Sequence, residues 1–312
     1  MAPWQQRSAA RPGDPINAKS FRENSNCRLT VHHPGTDAAK DPFDGQLTSN
    51  IRRMVIQKTP SCVINTPQML GVEPPALVLS TFTPVTQDPT MIDLSTWNLS
   101  IPEGSPAITI ETPRLAQGFK DDYFHSDTGT LFFWAPVTGS KTANAIYPRS
   151  ELRETYSDGT LRNWLYPAAD NILRAAVTVN QVPSTGKIVI GQIHAKDSTS
   201  PMVKLEYQYK TYSSTGNIVA KVRIRPDDET GQVITIATGV KLDRSFTYMI
   251  HLSPKGALGI SAAGYNWRTT IDPSWKVKPL YFKAGVYVQD NTGYTTEGGK
   301  VTFSQLDIDH NI

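Results

Sequence analysis

The chain has 312 residues, 38% of them hydrophobic and 19% charged, with a net charge of +3 at neutral pH. That balance fits a globular protein with its own core and excludes a wholly disordered chain. The slight charge gives no support to nucleic-acid binding, which needs a strong basic field, and no apolar run is long enough to span a membrane as a helix.

The first twenty residues, MAPWQQRSAARPGDPINAKS, contain no apolar stretch of the kind a secretory signal needs, so none is expected here. Residues 1–90 are rich in Pro, Ser, Thr, Asn and Asp, as in HHPGTDAAKDPFDG, and lack sustained periodicity. With little apolar surface to offset chain ordering, they are expected to form a loosely attached N-terminal extension. ALVLSTF (76–82) is its one candidate strand. The two cysteines, Cys27 and Cys62, both lie in this extension, and pairing or two free thiols are equally consistent with the sequence. No CxxC, HExxH or EF-hand spacing occurs, so neither a metal site nor a cofactor is expected.

From Met91 the pattern changes, and residues 91–312 read as one all-β domain. Runs with two-residue alternation recur at Thr130–Trp134, Ile172–Val179, Val203–Tyr209, Ile218–Ile224, Phe246–Leu252, Tyr281–Gln289 and Lys300–Ile308. Turn residues separate them, among them PDDETG (226–231) and SPKG (253–256). Many short strands with Gly, Pro and Asp turns predict a β-sandwich or a closed antiparallel sheet, with few and short helices.

Three stretches carry polar faces that a core does not need. In PRSELRE (148–154), alternation puts Arg149, Glu151 and Arg153 on one side and Ser150, Leu152 and Glu154 on the other. In KIVIGQIH (187–194), Gln192 and His194 follow the parity of Ile188 and Ile190, with Val189, Gly191 and Ile193 opposite. In YFKAGVYVQ (281–289), Tyr281, Lys283, Gly285, Tyr287 and Gln289 share a face, and Phe282, Ala284, Val286 and Val288 form an apolar one. Taken singly, each has a bland reading as a solvated salt-bridge row, a satisfied strand histidine or a half-exposed strand. Taken as neighbours in one sheet, they give a cationic surface suited to an anionic ligand, holding two groups able to exchange protons. Gly285 is expected to leave a gap for that ligand.

RSELRE (149–154), QIH (192–194) and YFKAGVYVQ (281–289), in this order, resemble the alginate lyases of polysaccharide lyase family 7. The similarity is expected to run from IDLSTWNLSIP (92–102) to the C-terminus, leaving residues 1–90 outside it. The resemblance implies a β-jelly roll whose concave sheet forms a groove for alginate, a linear anionic polysaccharide. It implies cleavage by β-elimination to 4,5-unsaturated oligouronates, and a secreted or periplasmic location; a monomer is expected. By position in the motifs, the catalytic residues fall on Arg149, Gln192, His194 and Tyr287. Glu151, Arg153, Lys283 and Gln289 are assigned to substrate binding and support, with Glu151 set between the two arginines. QIH rather than QVH resembles the variant associated with guluronate-containing blocks, although alternation points Ile193 away from the groove.

The chemistry calls for these residue types. The C5 proton of a uronate is a very weak acid until the neighbouring carboxylate is neutralised and the charge growing on it is held by fixed donors. Arg149 offers a forked cation and Gln192 an amide for that task. A neutral His194 suits the base, and Tyr287 the acid that protonates the departing O4. Tyr287 also stands as a second candidate base if Lys283 and Arg153 lower its pKa. A two-carboxylate hydrolase would pair Glu151 with Glu154, but alternation puts them on opposite faces. A non-catalytic carbohydrate-binding module and a lyase for another polyuronate remain the competing readings.

Overall fold

The computed structural model describes residues 91–312; the expectations for the extension, ALVLSTF and the two cysteines lie outside the described residues. The chain enters through β1 (Trp97–Gly104), β2 (Ala107–Ile110), a five-residue helix α1 (Thr112–Ala116), β3 (Phe124–Asp127) and β4 (Thr130–Pro136). It continues through β5 (Arg149–Glu154), β6 (Asp170–Gln181), β7 (Lys187–Ala195), β8 (Val203–Lys210), β9 (Thr215–Val222) and β10 (Gln232–Val240). The last five strands are β11 (Ser245–Leu252), β12 (Ala257–Ala262), β13 (Tyr265–Thr270), β14 (Leu280–Val288) and β15 (Gly298–Asn311). Two 3-10 turns, Tyr166–Ala168 and Pro273–Val277, are the other helical elements among the described residues.

These strands form the β-jelly roll that the resemblance implies. One antiparallel sheet has the order β10-β9-β8-β7-β14-β5-β1-β2, and the other β13-β12-β11-β6-β15-β4-β3. The core lies between them and is built by alternation: Leu173, Ala175, Val177 and Val179 of β6 face Phe282, Ala284, Val286 and Val288 of β14 within one apolar cluster. Phe133 anchors the middle of this core, edge-on to Phe124 at 5.1 Å and to Phe303 at 5.4 Å between ring centroids. Each such buried ring removes enough apolar surface from water to contribute about 1.5–3 kcal/mol.

The two predicted polar strands β5 and β14 are neighbours, and β7 flanks β14 on the other side. Lys283 lies opposite Arg153, Gly285 opposite Glu151 and Tyr287 opposite Arg149. Across the other edge of β14, Tyr281 faces His194 and Lys283 faces Gln192. Directly opposed residues of an antiparallel pair project from the same face, so the three polar rows merge into one.

Two expectations need correction. Gln192 and His194 do not share a face with Ile188 and Ile190, because both isoleucines lie in the apolar core. The strand slips phase at a β-bulge: its register with β8 shifts between Val189 and Gly191, so one extra residue of β7 is accommodated. Beyond the slip Ile193 and Ala195 are the core residues, and the Gln–His pair faces outward. Gly285 leaves no ligand gap either. Its φ of 137° is a conformation other residues rarely adopt. A Cβ there would lie 2.6 Å from the Ser150 carbonyl oxygen and 2.9 Å from Glu151 Cα, so the glycine lets β14 approach β5.

Candidate active site

Outside the core, the eight-stranded sheet carries a cleft of about 570 Å³. Its floor includes Arg149 from β5, Gln192 and His194 from β7, Lys204 from β8, and Tyr281, Lys283 and Tyr287 from β14. Its walls are the segments Thr142 to Tyr147 and Asp197 to Pro201. All four residues assigned to catalysis therefore meet in one cleft, supplied by three adjacent strands.

Glu151 organises that floor. It is 1% exposed, and its carboxylate accepts hydrogen bonds from Arg149 Nη1 at 2.9 Å and from Gln192 Nε2, with Lys283 Nζ at 2.5 Å. Burial alone would push its carboxyl up, but Lys283 and Arg149 beside it and the bonds from Lys283 and Gln192 outweigh that and hold its pKa at about 2. It is an anion at any working pH, paired on every side by its own protein. That places Glu151 under the donors as their support, and not between two arginines as expected. Arg153 turns away, donating to the Glu154 carbonyl and to Asn163 Oδ1.

Arg149 and Lys283 are both nearly buried, at 7% and 8% exposure. Arg149 Nε has no hydrogen-bond partner among the described residues, although it is shielded from solvent. A buried unpaired N–H on a cation is costly. For Lys283, burial first and then Arg149 lower the pKa to about 8, against the pull of Glu151.

His194 Nδ1 lies 2.9 Å from the Ala195 carbonyl oxygen. A carbonyl only accepts, so the tautomer that satisfies this contact carries its proton on Nδ1 and leaves Nε2 bare. Burial, and then the charge of Lys283, depress the His194 pKa to about 4, so the ring is neutral at neutral pH. The Tyr281 hydroxyl sits 3.1 Å from the same Nδ1, and its ring stacks on the imidazole at 5.3 Å. The Arg153 guanidinium lies 4.0 Å from the centroid of the Tyr281 ring. Arg153 thus reaches the cleft through Tyr281, as support for the histidine.

Tyr287 lies under the Arg149 guanidinium, 3.8 Å from ring centroid to Cζ. Burial raises its pKa in spite of Arg149, so the phenol keeps its proton. The suggestion that Lys283 and Arg153 lower it is therefore overturned. Gln289 is not brought to the cleft. β14 ends at Val288, and the Gln289 amide folds back to donate to the Val288 carbonyl at 2.9 Å. Glu154 faces away from the cleft as alternation predicts, accepting from Trp164 Nε1 and the Phe282 backbone N–H.

Two residues of the cleft floor escaped assignment from the sequence. Tyr281 was on the predicted polar face without a role. Lys204 sits opposite Gln192 across β7 and β8, at the polar parity of VKLEYQYK. The alternation of that strand was the available signal, but no motif drew attention to it.

The family model described as alginate lyase matches residues 92–310. An alginate lyase structure described as a member of polysaccharide lyase family 7 is 34% identical, with a TM-score of 0.62 over 71% of this chain and 97% of its own. The chain belongs to polysaccharide lyase family 7, the alginate lyases. This lyase is also similar to the alginate lyase of Pseudomonas aeruginosa, at 47% identity and a TM-score of 0.68 over 70% of this chain and all of that one. The Klebsiella pneumoniae alginate lyase is 28% identical over 284 residues, covering 70% of the chain and 89% of that relative. The motifs that carried the resemblance lie wholly inside the matched region.

Proposed function

We propose that this lyase depolymerises alginate by β-elimination in the cleft between Arg149, Gln192, His194 and Tyr287, favouring guluronate-containing blocks. The uronate carboxylate adjoining the scissile bond takes the place beside the Arg149 guanidinium and the Gln192 amide. Held there, it accepts the charge that develops as C5 loses its proton, and preorganised donors of this kind are a leading source of rate enhancement. His194 removes that proton through Nε2. The C5–H electron pair becomes the C4=C5 double bond, the C4–O4 bond breaks, and Tyr287 donates its phenolic proton to O4. The products are a new reducing end and a 4,5-unsaturated sugar.

The state of His194 carries this reading: a bare Nε2 on a ring kept neutral by burial is a base ready for use. The raised Tyr287 pKa favours it as the acid over the alternative in which it is the base. Guluronate is the G of alginate shorthand, and variants of the family-7 relative are known with a substrate written GGMG and a product written GGG. The QIH sequence supports the same preference.

The test follows ultraviolet absorbance of the unsaturated uronate on guluronate-rich and mannuronate-rich polymers. His194→Ala is expected to lose about 10²- to 10⁴-fold in turnover on the guluronate-rich polymer, the usual contribution of a general base. Tyr287→Phe is expected to lose a similar factor while still binding the polymer. Near-normal turnover by His194→Ala on guluronate-rich polymer would remove His194 from the role of base.

A further inference from the structure

We propose that Tyr248 is a positioning residue for the reaction, its hydroxyl fixing the β7 bulge that aims Gln192 and His194 into the cleft. Tyr248 belongs to β11, in the sheet opposite the cleft, and its side chain crosses the core with 2% exposure. Its hydroxyl donates to the Ile190 carbonyl at 2.8 Å. Ile190 has no opposing partner in the register with β8 or with β14, as a bulged residue does, and the phenol bonds its carbonyl from behind.

The next residue is shaped around this contact. A Cβ on Gly191 would lie 2.8 Å from the Tyr248 hydroxyl and 3.1 Å from two carbons of its ring. Glycine at 191 and tyrosine at 248 therefore fit one another, immediately behind Gln192. Burial of Ile188, Ile190 and Ile193 decides which face the Gln–His pair takes. It does not decide the height and tilt of the backbone at the slip, and there the phenol supplies the constraint. Burial first, and then the Glu151 carboxylate, raise the Tyr248 pKa, so it remains a donor across the working range.

This assignment rests on Gln192 and His194 carrying the reaction, so the two readings are tested side by side. Tyr248→Phe is compared with Tyr207→Phe, a control of the same kind in the same core. The Tyr207 hydroxyl also donates to a backbone carbonyl, that of Val240 at 2.9 Å, and this bond joins β8 to β10 without reaching β7. Both variants are expected to melt at modestly lower temperatures. Only Tyr248→Phe is expected to lose kcat, by about tenfold, because displacements near 1 Å at reacting groups cost up to roughly 10²-fold. Its acid limb should also move toward the ordinary imidazole range as His194 loosens. Gly191→Ala should lose kcat too, and in the double variant with Tyr248→Phe the two losses should be less than multiplicative, because the added methyl then meets no hydroxyl. Unchanged kcat in Tyr248→Phe, equal loss in Tyr207→Phe, or multiplicative losses in the double variant would each overturn the proposal. If His194→Ala and Gln192→Ala retain turnover in the same assay, the catalytic reading fails instead.

Discussion

Glu151 and Lys283 meet at 2.5 Å in a place almost closed to water, with Arg149 donating to the same carboxylate oxygen. A buried charge without partners is very costly, and here each partner is the answer to the other's desolvation. This cluster keeps one net positive charge from two cations and one anion, and Lys204 adds another on the same floor. That excess, rigidly placed, is what a polyuronate finds. The Gln192 amide is tied to the other oxygen of the same carboxylate, so three strands are locked by a single side chain.

Removing that charge should disable the floor without altering its shape. Glu151→Gln leaves Arg149 and Lys283 buried without their anion, and losing one partner of a buried pair costs about 3–5 kcal/mol. Turnover is expected to fall by about 10²-fold as the donors lose their orientation. Chemical denaturation and steady-state kinetics on alginate check the two effects together. A variant of wild-type stability and rate would mean that Glu151 supports nothing.

The pH dependence follows from His194. Its pKa falls from 6.5 to about 4 on folding, so between those values the unfolded chain binds a proton that the native one refuses. Stability contributed by this group is therefore lost as pH falls from 6.5 toward 4, and changes no further below that. Glu151 adds a second acid loss from 4.5 down to about 2, its folded pKa being depressed. In the same way the acid limb of kcat/KM should lie near 4, since a base fails when it is protonated. His194→Gln should abolish the first stability loss and leave the second, as read from melting temperature against pH.

Lys283 sets the expectation on the alkaline side. Its ammonium has a pKa of about 8, so in the free enzyme the cleft loses this cation just above neutrality. KM for alginate should therefore rise above that pH. Lys283→Arg, whose guanidinium stays charged, should keep KM flat through the same range even if its kcat is lower. A rise in KM identical in both proteins would assign the limb to another group.

The limits of sequence reading are visible in two strands. YFKAGVYVQ alternates without a break, and the structure keeps that parity from Leu280 to Val288, so Lys283 and Tyr287 were legible. PRSELRE behaved likewise, with Leu152 in the core and Glu151 on the opposite side, beneath the cleft donors. In β7 the phase slip falls among Ile188, Val189 and Ile190, all apolar, and Gly191, which has no side chain to report a face. The bulge left no trace in hydrophobicity and showed only once the partner strands were in place. The cleft walls were hidden for another reason: Thr142 to Tyr147 and Asp197 to Pro201 are connecting segments with neither periodicity nor motif. Gln289 was lost because β14 ends one residue before it.

Ile193 separates correlation from contact in the block preference. It is fully buried in the apolar core, with Phe282 and Val203 as its cross-strand neighbours, and its side chain is on the opposite face from the cleft. Ile193→Val removes one methylene from that core and is expected to cost about 0.5–1.5 kcal/mol of stability. Because Gln192 and His194 are fixed by the bulge and by Glu151, the ratio of rates on guluronate-rich and mannuronate-rich polymers should not change. Initial rates on the two polymers, with a denaturation curve, decide the matter. A ratio shifted several-fold would mean that Ile193 selects blocks from behind the strand, by changing how far Gln192 and His194 project.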